Sequence, residues 1–402
     1  MNICIVTHTV QKGDGQGRVN YEVAQEAIRR GYHLTLLASH VALEMQQNPQ
    51  VKWVPISIKR WPTEFIRNLI FSRKSTKWLR KNRPELDIVK VNGAITHAHG
   101  NVNAVHFVHN SWQKFNSSQN QPKSDQLGYD LYQWVYTTLN ARWEKQAFRK
   151  AQVVVAVSDK VAQDLLEIGV PPESIKVILN GVDLQEFSPG VSNRQKWQLP
   201  ESVPLAIFAG DIRLSRKNLD TVLQALVKVP ELHLAVAGNT EGSPYLQLAE
   251  SLGLSQRVHF LGQRSDLPEL MKAVDFLVFP SRYEPFGLVV IEAMASGLPV
   301  ITASSTGAAD LVTPESGIVL SDSDDPEALT QAIQLLTSNL SLRQQMGKTA
   351  RSIAEQHSWT NMAQTYLDLF EELINHEKYS SHPHLSPSSG SITLPFGTTS
   401  TN

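Results

Sequence analysis

The chain has 402 residues, 41% of them hydrophobic, with 37 Lys+Arg against 38 Asp+Glu. That length suits two domains better than one core, and the composition is that of a soluble globular protein with no nucleic-acid partner expected. The single cysteine, Cys4, excludes a disulfide framework and favours a cytoplasmic setting. No apolar run reaches the roughly 18 residues of a membrane span, and a strand starting at Asn2 leaves no room for a signal peptide. The near-neutral total hides a split. Residues 1–190 hold 23 Lys+Arg against 16 Asp+Glu, a net +7, and the remainder 14 against 22, a net −8, so the first half is expected to face an anionic partner or surface.

Asn2 to Thr7 reads as a short apolar strand. A glycine-rich loop, QKGDGQGR, follows, and then a helix through about Arg30 that Gly31 ends. The glycines at 13, 15 and 17 follow Gly-x-Gly-x-Gly rather than the dinucleotide spacing, and the next strand, His33 to Ser39, ends without an acid for a ribose. A nicotinamide dehydrogenase is therefore not expected. Residues 59–83 carry nine basic residues and one acid, interleaved with Trp61, Phe65, Ile66, Leu69, Ile70, Phe71, Trp78 and Leu79. Two readings stay open for that helix: a segment lying on an anionic membrane surface, or a core-packed helix with a basic solvated face.

Strand-like runs recur at Asp87–Val91, Ala104–Val108, Gln152–Val157 and Lys176–Leu179. His97, His99, His106 and His109 crowd this stretch, but no cysteine or acid beside them completes a ligand set, so no metal is expected. Ser158 is placed to cap the helix from Asp159, and Asn180-Gly181 turns the chain out of the last strand. The expected division is a first domain over 1–185, a linker over 186–204 containing Pro189, Gly190 and Pro200, and a second domain over 205–358. In that second domain, strands at Leu205–Gly210, Leu234–Ala237, Val258–Leu261, Asp275–Phe279, Pro299–Ala303 and Gly317–Leu320 are mostly separated by helical spacers, the signature of a doubly wound parallel sheet. Asp322-Ser323-Asp324 precedes a Pro-initiated helix, where acids cap rather than bind metal. A final helix spans 359–378, and the Ser/Thr/Pro/Gly-rich tail, 379–402, is expected to be disordered.

The most informative stretch is Asp275–Ala303, DFLVFPSRYEPFGLVVIEAMASGLPVITA. A buried strand runs into a short polar loop, a helix from Leu288 to Ala295 closed by Gly297, and a second buried strand. Such a loop sits where open α/β sheets bind ligands and where free N–H groups attract anions. Glu284 lies in the loop, and Glu292 lies eight residues on among Val289, Val290, Ile291, Ala293 and Met294. Two carboxylates at different depths of one cleft suit a polyhydroxylated ligand that carries phosphate, with the amides at Phe286, Gly287 and Leu288 facing phosphate or a sugar ring. The alternative, a solvated loop acid and a surface helix acid, fits Glu292 poorly because its neighbours are apolar.

The segment SRYEPFGLVVIEAMASGLPVI closely resembles the Glu-x7-Glu signature of retaining glycosyltransferases of family 4, which have the GT-B fold of two Rossmann-like domains facing an interdomain cleft. The run AQVVVAVSDKVAQDLLEIGVPPESIKVILNGVDLQEFSP resembles the same family. That resemblance implies a nucleotide-diphospho-sugar donor, UDP- or GDP-linked, on the second domain, a glycan, lipid or small-molecule acceptor on the first, and hexosyl transfer with retention and without a metal or cofactor. It implies catalytic roles for Glu284, His109 and Lys217. Glu292, Phe286, Gly287 and Leu288 would bind the donor, and Gly15 and Gly17 match a loop crossing the cleft near the donor phosphates. Where many members carry Arg directly after the strand-end glycine, this chain has Asp211, so the second diphosphate cation is expected to be Arg213 or Arg216, with Arg264 a weaker candidate on the rim. Ser304, Ser305, Thr306 and Gly307 match a donor-side loop, with Ala308 in place of its usual second glycine. The final helix is expected to cross back onto the first domain. Two rivals remain: a non-catalytic carbohydrate- or nucleotide-sugar-binding subunit, and a GT-B-fold epimerase or phosphorylase.

Overall fold

A computed structural model of the chain describes residues 1–13, 15–58, 61–118 and 127–380; the expected disorder of the tail falls on residues outside these, save its first two positions. The N-terminal half folds around seven parallel strands: β1 (Asn2–Val10), β2 (His33–Val41), β3 (Val51–Pro55), β4 (Ile88–Asn92), β5 (Val102–Val105), β6 (Val153–Ala156) and β7 (Ile175–Val177). Their order across the sheet is β3-β2-β1-β4-β5-β6-β7. Six more parallel strands form the second sheet: β8 (Leu205–Ala209), β9 (His233–Ala237), β10 (Val258–Gly262), β11 (Phe276–Phe279), β12 (Val300–Ala303) and β13 (Gly317–Leu320), in the order β10-β9-β8-β11-β12-β13. In both sheets the order reverses beside the first strand of the domain, the switch point at which doubly wound sheets open a ligand crevice.

The central strands β4, β5, β6, β8, β11 and β12 are buried throughout because helices cover both faces, and they are apolar apart from Lys90 and Asn92 in β4, Asn103 in β5 and Thr302 in β12. β3 escaped the sequence reading for the complementary reason. It is an edge strand, no residue of it is fully buried, and its short VKWVP run ends in proline.

Helix Glu64–Asn82, begun by Thr63, whose side chain accepts from Ile66 N–H, buries Phe71, Ser72, Ser75, Thr76 and Leu79. Phe71 and Leu79 join Cys4, Val6, Leu37, Ile56, Val89 and Val91 in a core on one face of the first sheet. Of the apolar residues in the basic segment Phe71 and Leu79 thus face inward, Trp61 is exposed and the others are half-buried, while Arg73, Lys74, Lys77, Arg80 and Lys81 stand exposed. Among the described residues no helix is long and apolar enough to cross a membrane.

The last helix, Trp359–Ser380, packs on the first-domain helix Gly15–Arg29 through Trp359, Met362, Ala363, Tyr366, Leu367 and Phe370. Arg30 ties it down with 2.7 Å ion pairs to Asp368 and Glu371. The main core of the second domain runs on into Val105, Val108, Phe148, Val154 and Val157 of the first.

Candidate functional site

The loop after β11 is built to hold its shape. Gly287 has φ +92°, and a side chain there would press to 2.9 Å of Thr306 Cγ2, so glycine suits both the backbone and the space. Gly307 N–H donates to Glu284 O at 2.9 Å and Ala308 N–H to Phe286 O at 2.7 Å. The small-residue loop expected on the donor side therefore uses these two amides to brace the Glu284 loop. Ser158 does double duty: it caps helix Asp159–Glu167 through Val161 N–H, and its hydroxyl donates to Pro285 O across the domain boundary at 2.6 Å.

Lys217 reaches the same place from the loop after β8, on a short 3-10 turn, Ser215–Lys217. Arg282 N–H and Ser281 Oγ both donate to Arg216 O at 2.8 Å, and Asn218 Nδ2 donates to Pro280 O at 2.9 Å, so the two loops are laced together. As a result Lys217 Nζ and Arg216 Nη1 (2.8 Å) share one oxygen of Glu284. Lys217 Nζ also lies 5.0 Å from the centre of the Phe279 ring. Burial lowers the Lys217 ammonium below the usual lysine range while Glu284 pulls it back up. Of the two arginines left open by the sequence, Arg216 lies in this cluster. Arg213 is folded onto Asp211, with two contacts of 2.8 Å, and is half exposed.

Glu292 sits one turn into helix Leu288–Ala295, which starts without a side-chain cap. Its carboxylate has no hydrogen-bond partner among the described residues, and burial, reinforced by Glu186 and opposed by Arg18, pushes it up to about 7. Beyond it, the ends of β8, β9 and β10 enclose about 320 Å³ lined by Gly210, Arg213, Gly238, Asn239, Gln263 and Arg264, among others. Arg264 is held by both oxygens of Asp266, at 2.8 and 2.7 Å. Asn239 and Gln263 were not singled out from the sequence, although each follows a strand-ending glycine, the signal that marks such positions.

On the first domain the strand expected over Ala104–Val108 is Val102–Val105, and His109, beyond its exit, opens helix His109–Ser118. Glu144 accepts from its backbone N–H at 2.9 Å and from ring Nδ1 at 2.6 Å, which sets the tautomer and turns Nε2 away from the carboxylate. The His109 ring stands edge-on to Phe107, which stands edge-on in turn to Tyr283 of the Glu284 loop. Across the cleft, a carbon added to Gly15 would lie 3.2 Å from Leu288 Cδ1. One expectation needs correction: Gly15 and Gly17 lie in the first turn of a helix, Gly15–Arg29, and not in a loop, the turn being made at Gly13 (φ +89°). Arg18, one residue on, also went unrecognised. It pairs with Glu22 at 2.6 Å and with Asp183 at 3.1 Å where the chain leaves the first domain. Of the acids at 322–325, Asp324 pairs with Arg282 from a distant loop, and Asp325, just past the expected Asp322–Asp324 run, is the one that caps helix Pro326–Ser338.

Two parallel doubly wound domains facing a cleft that gathers Lys217, Arg216, Glu284 and Glu292 on one side and His109 on the other define a GT-B glycosyltransferase. A family model described as glycosyl transferases group 1 matches residues 192–353, and one described as glycosyltransferase family 4 matches residues 13–186. The chain belongs to this group 1/family 4 class of glycosyltransferases. A D-inositol 3-phosphate glycosyltransferase of Xylanimonas cellulosilytica is 32% identical over 57% of this chain, and the match spans 59% of that relative's length. Sucrose-phosphate synthase of Thermosynechococcus elongatus has the same fold at a TM-score of 0.76 and 20% identity, covering 93% of this chain and 99% of the other. So does Anabaena HepE in complex with UDP and glucose, at 0.67 and 20%, covering 92% and 99%.

Proposed function

We propose that the chain is a retaining glycosyltransferase that moves a hexose-type sugar from a UDP- or GDP-linked donor on the second domain to an acceptor hydroxyl on the first. The observation that carries this reading is the sharing of one Glu284 oxygen by Lys217 and Arg216. Two cations held over one carboxylate are an exchangeable site for a diphosphate, and the open N–H groups at the start of helix Leu288–Ala295 add to it. The unpartnered Glu292 carboxylate accepts the two ribose hydroxyls, and the 320 Å³ cavity takes the base. HepE, with UDP and glucose bound on the same fold, supports a donor of this kind.

In the reaction, the bond between the anomeric carbon and the diphosphate oxygen breaks, and the electron pair leaves with the diphosphate. Lys217, Arg216 and the helix N-terminus stabilise that charge, so the chemistry calls for no metal. The acceptor oxygen bonds to the anomeric carbon from the face the diphosphate is leaving, and its proton passes to the departing phosphate oxygen. Glu284, released from its cations, orients sugar hydroxyls, and His109 contacts the sugar or acceptor from the other domain. The exposed row Arg73, Lys74, Lys77, Arg80 and Lys81 is the part proposed to rest on an anionic membrane surface at the cytoplasmic side. The test is the anomeric configuration of the product, read by NMR against the donor. An inverted product overturns the mechanism, and a donor bound without release of nucleoside diphosphate makes the chain a binding subunit.

A further inference from the structure

A second cavity, about 180 Å³, opens in the first domain beside His109. The end of β1, helix Glu64–Asn82, the exits of β4 and β5, and helix Leu127–Lys150 surround it. Among the described residues, five that line it keep a buried polar atom outside any hydrogen bond of ordinary geometry: His8 Nδ1, Asn68 Oδ1, Ser72 Oγ, Asn92 Nδ2 and His106 Nε2, with the His8 and Asn68 side chains interacting with each other. Asn92 is 2% exposed and Ser72 5%. Buried polar groups are ordinarily paired, so five around one cavity ask for an occupant that hydrogen-bonds on several sides.

We propose that this cavity seats an uncharged polyhydroxylated ring as the acceptor and discriminates against the same ring carrying a phosphate. The inference rests on the reading of the first domain as the acceptor side. The unpaired atoms are of both kinds. Asn92 Oδ1 accepts from Lys90 Nζ at 3.1 Å, so its amide N–H groups are left to donate. Asn68 donates its Nδ2 to Tyr136 at 3.2 Å, so its oxygen is left to accept, from His8 beside it or from an occupant. A hydroxyl answers either kind, whereas an ionised phosphate only accepts. Among the described residues lining the cavity there is no lysine or arginine, and the charged ones are the carboxylates of Glu64 and Glu144. Burial holds His8 below its ordinary range and, with Lys90 beside it, brings His106 down to about 3; of the other two imidazoles in the wall, His97 and His109, the second has its Nδ1 engaged by Glu144. Lys90 itself is fully buried behind the wall, its ammonium given to Asn20 (2.7 Å) and Asn92. The donor site on the other domain, by contrast, meets the ligand with Lys217 and Arg216.

The experiment is saturation-transfer NMR on the full chain with myo-inositol and D-inositol 3-phosphate at matched concentrations, alongside calorimetry with UDP and GDP. The expected result is saturation of myo-inositol at least tenfold stronger than of the phosphate, lost in Ala94→Trp, which blocks the cavity mouth, and lost equally in Ser72→Leu should the first variant not fold. Asn68→Lys, which brings an ammonium to the wall, is expected to reverse the preference. Equal or tighter binding of the phosphate by the native chain, or a myo-inositol signal indifferent to both blocking variants, overturns the proposal. Nucleotide binding with no polyol signal sinks this inference alone. A polyol signal that behaves as expected with no nucleotide binding leaves it standing and sinks the glycosyltransferase reading.

Discussion

The two domains share one architecture and meet their ligands in opposite ways. The second brings its charges together in advance: Lys217 and Arg216 are already paired on Glu284, held by hydrogen bonds between two loops, with Glu292 desolvated close by. The first offers a cavity without lysine or arginine in which five polar atoms have no hydrogen-bond partner among the described residues. The difference teaches that a doubly wound sheet sets where a ligand sits, while the side chains at the strand exits set what it is. An internal ion pair also has a consequence for binding: whatever displaces Glu284 from its cations must be at least as good a partner as a carboxylate, which favours a diphosphate over a neutral sugar.

The largest effect is expected at the charged site. Lys217→Ala should cut kcat/KM by about 10²–10³ and also weaken nucleoside diphosphate affinity, since the ammonium acts before and during departure. Steady-state kinetics and calorimetry check both halves. If only the acceptor KM moved, the contrast between the domains would be broken. Glu284→Ala and His109→Ala are expected to lower turnover by about 10² each, by loss of contacts made mainly in the transition state, and to separate in their effect on nucleotide. His109→Ala leaves UDP affinity within about twofold, whereas Glu284→Ala leaves it equal or tighter because Lys217 and Arg216 lose their internal competitor.

A pH series sharpens the role of Glu292. Its carboxyl is raised from 4.5 to about 7 by burial, so the folded protein keeps a proton that the unfolded chain releases across that window. Its contribution to stability therefore falls as pH rises from about 4.5 to 7, by at most about 3 kcal/mol, and Glu292→Gln should flatten this dependence in thermal melts. Ribose hydroxyls donate to the ionised form, so UDP affinity should climb toward pH 7 and level off above it, and the same variant should lose the slope. A wild-type affinity flat from pH 5 to 8 would remove Glu292 from the ribose.

Smaller effects follow at the periphery. Ser158→Ala removes both the 2.6 Å bond to Pro285 and the cap on Val161 N–H and should cost about 1–2 kcal/mol in urea unfolding. Reversing Arg73, Lys77, Arg80 and Lys81 to glutamate should change stability by no more than about 0.5 kcal/mol per site, because all four are exposed. It should abolish sedimentation with acidic vesicles at low salt, binding that screens over about 10 Å at 0.1 M. Wild-type protein that ignores acidic vesicles would leave the helix with its packing role alone.

What could be read from residues alone was what is encoded locally. Unbroken apolar runs marked strands buried on both faces, and strand-ending glycines and prolines marked the loops that carry ligand groups. The eight-residue spacing from Glu284 to Glu292 placed one carboxylate in a loop and the other on the next helix, and the structure has them there. The edge strand β3, half-exposed and short, lacked that signal. Three features were settled by contacts between residues far apart in the chain. Arg216 rather than Arg213 stands over Glu284 because the Ser281–Arg282 backbone and hydroxyl hold residue 216 in place, while Asp211, two residues away, captures Arg213. The basic helix turns Phe71 and Leu79 inward because they find Val6, Leu37 and Val89 on the sheet, whereas amphipathicity by itself is equally content against lipid. The five unpaired atoms of the first-domain cavity come from four separate stretches of chain between residues 8 and 106, Asn68 and Ser72 sharing one helix. Only the closing of the sheet brings them around one space, and a pattern read along the chain has no period that reports it.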